Sequence, residues 1–126
     1  YVDSVPKNLP SLMRAEKVQG KAAKVGFDWD DVSGAFDKIA EETAELKQAI
    51  SSGNADEITD ELGDLLFSAV NVSRFIGVDP EDALTRATDK FISRFSVVER
   101  LAEEKGIDMN SASLEKLDEL WNEAKK

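Results

Sequence analysis

"EETAELKQAISSGNADEITDELGD", residues 41–64, decides how this chain folds. Acids crowd both ends of the stretch, and the turn "SSGN", residues 51–54, separates them. Upstream, Val32, Phe36, Ile39, Leu46 and Ile50, with Thr43 filling the gap, step by 4, 3, 4, 3 and 4, a helical stripe. Downstream, Ile58, Leu62, Leu65, Ala69 and Ile76 keep the same period, and Asn54 with Glu57 makes a capping-box-like start. The stretch therefore predicts one helix from about Val32 to Ile50 and another from Asn54 to Ile76. A short turn makes them antiparallel.

The flanking sequence extends the same architecture. Pro6 and Pro10 mark residues 1–10 as an N-terminal arm or interdomain linker. From Pro10 to Val25 the positions of Leu12, Met13, Val18, Ala22 and Val25 fit a helix that stops at Gly26. "GFDWDD" is a loop whose Asp30 or Asp31 caps the next helix. Asp79 followed by Pro80 reads as an N-cap with proline at the first helical position, starting a fourth helix that reaches about Lys105. A short helix from Ser113 to Ala124 ends the chain. The expectation is an all-α protein: one domain over residues 11–126, with four main helices, a short C-terminal helix and a bundle completed by dimerisation. The fourth helix is long for a monomer of this size and leaves apolar surface for a second copy.

Composition narrows the chemistry. A chain of 126 residues supports one core, and 41% hydrophobic with 33% charged residues is the balance of an ordinary folded protein. No apolar run approaches the roughly 20 residues that span a bilayer, and with no cysteine there is no disulfide framework, so a cytoplasmic setting is expected. The net charge of −10 argues against nucleic-acid polymers and membrane surfaces, both polyanionic. With no histidine there is no Ser-His-Asp triad, no HExxH zinc site and no ExxH di-iron pair. Carboxylates remain as the metal ligands. The chain begins at Tyr1 rather than Met, which reads as a piece of a longer protein.

At about 100° per residue, Glu42 and Glu45 lie roughly 80° and 140° from the centre of their stripe. Glu61 and Asp64 lie at the same offsets, in the same rotational sense, from theirs. The two pairs are symmetric about Gly53, so the hairpin brings four carboxylates to one side and one level. A single ExxE is most often a solvated acidic face. Two matched pairs are different, because converging carboxylates destabilise a fold unless a cation sits among them. Oxygen-only ligation selects a hard ion, Mg²⁺ or Mn²⁺, rather than a thiophilic one. Lys38 shares the flank of Glu42, and Asn71 lies two turns beyond Asp64, so both are candidate ligand contacts. Phe27 and Trp29 read as core or dimer contacts.

"EETAE" followed after 15 residues by "ELGD" resembles the EExxE and ExxD signature of the MazG-type nucleoside triphosphate pyrophosphohydrolases, an all-α superfamily. "LPSLMRAEKVQGKAAKVGFDW", "ELGDLLFSAVNVSRF" and "ATDKFISRFSVVE" resemble the family's first, third and fourth helices in order. The first of these is most similar to the second MazG repeat of two-repeat bacterial proteins. The resemblance implies Mg²⁺-dependent hydrolysis of a nucleoside triphosphate to monophosphate and pyrophosphate by a homodimer. It implies Glu42, Glu45, Glu61 and Asp64 as metal ligands and catalytic residues, and Lys90, Arg94 and Trp121 as nucleotide contacts. Glu57 stands where some members carry a lysine, which puts one phosphate contact in doubt. Taken alone, Lys90 and Arg94 read as surface charges and Trp121 as a packing residue. Two alternatives stand beside this reading: a narrower pyrophosphatase for one deoxynucleotide or phosphoribosyl-ATP, and a non-catalytic helical dimerisation module.

Overall fold

A computed structural model describes all 126 residues. The chain is helical throughout, with a short 3₁₀ turn at Val2–Ser4 followed by α1 (Ser11–Lys24), α2 (Val32–Ser52), α3 (Ala55–Phe75), α4 (Pro80–Glu104) and α5 (Leu114–Ala124). No strand is present, and no helix is long and apolar enough to cross a membrane. The expected helices are all there, with ends displaced by at most two residues.

The caps explain those ends. Asp31 accepts the Ser33 amide at 2.8 Å and starts α2, while Gly53, at φ 74°, takes the left-handed conformation that ends it. Asn54 Oδ1 then accepts the amides of Asp56 and Glu57 at 3.0 and 3.1 Å, opening α3. The reciprocal half of the capping box does not form. The Glu57 carboxylate instead accepts the Ser52 hydroxyl at 3.2 Å, and the Asn54 amide faces the same hydroxyl. Asp79 caps α4 through the Glu81 amide at 2.9 Å, and Ser113 caps α5 through the Lys116 amide at 3.1 Å.

The chain forms two compact units, residues 1–83 and 84–126. In the first, α3 packs most extensively against α2 and next against α1. Its fully buried apolar residues are few: Val5, Ala35, Ala49 and Val70. The arm folds onto α1, where Lys21 Nζ donates to Ser4 Oγ at 2.6 Å and sits 5.0 Å from the Tyr1 ring. In the second unit, Val98 and Ala102 of α4 bury against Leu120 of α5, with Ile107, Met109, Leu117 and Trp121 around them. Full burial of Val98 and Leu120 contributes about 1.5–3 kcal/mol each. A Lys105–Glu123 ion pair at 2.6 Å ties the end of α4 to α5.

Large apolar side chains that periodicity marks as stripes are not all inside. Phe36, Ile50, Leu62 and Ile76 are exposed, as are Phe91 and Ile92 on α4. Asn54→Ala removes the acceptor for two amides at the start of α3. Urea denaturation of this variant is expected to show a loss of about 1 kcal/mol.

Candidate functional site

The seam between α2 and α3 does not run along the apolar stripes. The buried positions of α2 are Ala35, Glu42 and Ala49, spaced by seven, and those of α3 are Ser68, Val70 and Asn71. The line Ala35–Glu42–Ala49 is rotated roughly 80° from the α2 stripe. On α3 the line through Glu61, Ser68 and Asn71 is rotated off its own stripe by roughly 110°, in the same sense. Two alanines let the backbones approach closely. Glu42 thereby ends up between the helices with only 3% of its surface exposed.

A carboxylate so placed requires partners. Lys38, one turn earlier, supplies one: its Nζ lies 3.0 Å from Glu42 Oε1 and 3.2 Å from Glu41 Oε1. The Lys38 hydrogen bond holds the Glu42 carboxyl below the usual carboxylate range, and the same contact raises Lys38 above the usual lysine range. The second oxygen, Glu42 Oε2, is buried with no hydrogen-bond partner, and so is Glu61 Oε2 across the seam. Glu42, Glu45 and Glu61 each bring one carboxylate oxygen within 4.8 Å of the others. Desolvation first, and then crowding by Glu45 and Glu42, pushes Glu61 from 4.5 up to about 7. The site is an electrostatic conflict with two buried carboxylate oxygens left unpaired. Two orphaned carboxylate oxygens among three converging acids fit a hard divalent cation.

Asp64, the fourth expected ligand, is exposed and is not one of the three converging acids. It lies one turn along α3 from Glu61, in the wall of a cavity of about 900 Å³ that Glu42 and Lys38 also line. Asn71 lies in the same wall, buried, and its Oδ1 accepts Arg74 Nη2 at 3.0 Å. Arg74 in turn forms a bidentate pair with Asp28, at 2.8 and 2.7 Å, fastening the loop after α1 onto α3. That guanidinium holds Asp28 below the usual carboxylate range. Lys90, Arg94 and Trp121 belong to the second unit. There the Arg94 guanidinium is 6.0 Å from the Trp121 ring, which lies 5.3 Å from Phe91 and packs on the Val98–Leu120 cluster. Lys90 is exposed one turn before Arg94.

Sequence reasoning missed Arg74, Asp28 and Gln19. The polar line Glu61, Asp64, Ser68, Asn71 and Arg74, at steps of 3, 4, 3 and 3 along one side of α3, was a usable signal for Arg74. Nothing local identifies Asp28, whose partner is 46 residues away. Gln19 is also buried and lines the cavity, donating through Nε2 to the Phe67 carbonyl at 2.8 Å. Phe27 and Trp29, expected as core or dimer contacts, are 82% and 39% exposed and line the cavity too.

The model of the MazG nucleotide pyrophosphohydrolase domain matches residues 32–99, more than half of the chain. The match takes in α2, α3 and most of α4, and so every acid of the cluster. The chain is 49% identical, over 93% of its length, to the nucleoside triphosphate pyrophosphohydrolase/pyrophosphatase MazG of Thermotoga maritima, of which it covers 45%. It is 39% identical, over 99% of its length, to the nucleoside triphosphate pyrophosphohydrolase of Escherichia coli K12, covering 48% of that protein. A third relative, the uncharacterized protein YabN of Bacillus subtilis, is 50% identical over 98% of the chain, which covers 26% of it. The chain thus spans about half the length, or less, of the curated relatives it matches. With the acid hairpin inside the matched segment, the chain belongs to the MazG nucleotide pyrophosphohydrolase family.

Proposed function

We propose that this chain hydrolyses nucleoside triphosphates to nucleoside monophosphate and pyrophosphate, using Mg²⁺, with Mn²⁺ as a substitute, held by Glu42, Glu45, Glu61 and Asp64. One observation carries the reading: Glu42 and Glu61 each keep a buried, unpartnered carboxylate oxygen in a cluster that converges within 4.8 Å. A divalent cation bound there supplies charge neutralisation at the triphosphate oxygens and activation of the attacking water. The chain's own side chains do the rest. Lys38 keeps Glu42 ionised, and so able to ligate, at neutral pH. Asp64, in the wall of the adjoining cavity, extends the acid set toward the bound nucleotide. Water attacks in line and the bond between the α and β phosphates breaks. The water's proton passes to a carboxylate of the cluster, and pyrophosphate leaves.

Lys90 and Arg94 are proposed as phosphate contacts and Trp121 as a nucleotide contact, on family resemblance. The working form we propose is a homodimer in the cytoplasm, where nucleoside triphosphates are made. Phe36 at 54%, Ile50 at 58% and Ile76 at 58% exposure are the apolar surface that a second copy would cover.

Glu61→Gln is expected to lower pyrophosphate release by more than about a hundredfold, since partners outside the ligand shell alone are worth 10–100-fold. Chromatography of the nucleotide product and a pyrophosphate assay read it directly. Parent-like turnover would overturn the site assignment. The same variant removes a crowded carboxylate, so its metal-free form should be more stable than the parent at pH 8 and should gain less from Mg²⁺.

The pH dependence of the metal-free protein follows from Glu61. Its folded pKa, about 7, lies above the ordinary 4.5, so between these values the folded chain binds more protons than the unfolded one. Stability should therefore fall as pH rises through that window. The depressed pKa values of Asp28 and Glu42 act below their ordinary 3.8 and 4.5, and the raised pKa of Lys38 acts above 10.5, all outside the window. Urea midpoints taken with a chelator from about pH 5 to 8 should decline, and Mg²⁺ should flatten the profile. Calorimetry in buffers of different ionisation enthalpy should show proton release on Mg²⁺ binding near pH 6.5. A midpoint that rises with pH in the absence of metal would overturn the account.

A further inference from the structure

Charge is segregated along this chain. Residues 1–26 hold five Lys and Arg against two Asp and Glu, in a protein whose totals are 16 and 26. Four of those five, Arg14, Lys17, Lys21 and Lys24, follow one another on α1 at steps of 3, 4 and 3. At about 100° per residue they share an arc of roughly 80°, and Glu16, the only acid of the helix, lies outside it. Cations three and four apart on a helix repel one another. No carboxylate relieves the stripe: Lys21 reaches only the neutral Ser4 hydroxyl and the Tyr1 ring, and Arg14, Lys17 and Lys24 make no ion pair.

Three of these cations, Lys17, Lys21 and Lys24, line a second cavity, of about 660 Å³, within residues 1–83. The N-terminal arm, anchored by the buried Val5, and the turn after α3 form its other walls. Gln19, which lines the cavity beside the acid cluster, is turned roughly 140–160° from these lysines, so the two cavities occupy different faces of α1. In the second cavity Arg74 is paired with Asp28 and Asp79 caps α4, which leaves Glu16 as the one acid to set against three lysines. Gly20 lies in the same wall, in the middle of α1. A Cβ there would meet nothing within 4 Å, so no packing contact in the chain calls for glycine. Glycine inside a helix costs stability relative to alanine, and one use that offsets this is close approach of a ligand to the backbone.

We infer that this second cavity binds a polyvalent phosphate anion, a diphosphate or triphosphate group, held by Lys17, Lys21 and Lys24 and lying over Gly20. Three ammonium groups, spaced over roughly 10 Å of helix, suit a chain of phosphates better than a single one. The concave wall suits a small molecule better than a polymer. Free pyrophosphate and the phosphate chain of a nucleotide share this chemistry. The site is independent of the proposed hydrolysis, because the acid cluster without a metal ion repels such an anion.

Calorimetry on protein dialysed free of metal and chelator compares inorganic pyrophosphate, tripolyphosphate and phosphate. One pyrophosphate or tripolyphosphate per chain is expected, bound about tenfold or more tighter than phosphate, the gain from one further charge-assisted contact. Lys17→Gln and Lys24→Gln should each weaken pyrophosphate about tenfold, while Lys47→Gln, on α2, should leave it unchanged. Gly20→Ala should raise the anion-free thermal midpoint by roughly 2–5 °C and yet weaken pyrophosphate, a pair of shifts that loss of fold would not give. ADP, titrated into the parent and Lys17→Gln, identifies the source: a tenfold loss in the variant upholds the cavity as a site for a nucleotide's phosphates, and no loss, with pyrophosphate still weakened, upholds it for free pyrophosphate. Absence of saturable binding, or equal weakening by Lys47→Gln, would overturn the site and leave the hydrolase reading intact. Parent-like pyrophosphate binding by Gly20→Ala would overturn the placement over Gly20.

Discussion

Burial of Glu42 is the constraint on which the rest of the site depends. A carboxylate with 3% of its surface exposed, one oxygen held by Lys38 and the other unpaired, is a costly arrangement for an isolated fold. It persists because α2 meets α3 along Ala35, Glu42 and Ala49, where small side chains above and below allow close helix contact. The conflict extends to Glu61, pushed up to about 7, and to Glu45 at the open edge. A divalent cation bound there would resolve the charge problem and the hydrogen-bond deficit together. The fold is therefore coupled to its proposed ligand through stability as well as through chemistry.

Turning the acids inward turns the apolar stripes outward. With the seam rotated roughly 80–110° from the stripes, Phe36, Ile50, Leu62 and Ile76 lie on the surface of the first unit. This unit buries mainly small side chains and leaves large ones exposed. On the opposite side of the hairpin α1 and the Gly26–Trp29 loop close the cavity, fastened by Asp28 to Arg74 and by Gln19 to the Phe67 carbonyl. Acid cluster, cavity and apolar face are thus three consequences of a single rotation between two helices.

Much of this was legible in the linear sequence. Helix limits follow from Asp31, Gly53, Asn54, Asp79 and Ser113, because caps and left-handed turns are local hydrogen-bond and steric matters. The convergence of Glu42, Glu45 and Glu61 was legible too, because it depends only on helical period and on a two-residue connection. The missed residues are those whose partners are distant in the chain. Asp28 and Gln19 act through contacts 46 and 48 residues away, which no local spacing encodes. Trp29, expected as a core or dimer contact, is 39% exposed and so is not a core residue of this chain. Its actual place depends on the absence of a side chain at Gly34.

By itself, the sequence determined that the chain is all-helical, where each helix starts and stops, and that its acids share one side of a hairpin. Those properties depend on backbone geometry and on neighbours within a turn or two. Only the tertiary structure decided which side of the hairpin became its interior. That choice depends on how closely two backbones can approach, and Ala35 and Ala49 allow it where Phe36 and Ile50, one position along, do not. It places Glu42 inside and Asp64 in the cavity wall, and it buries Gln19 against the Phe67 carbonyl.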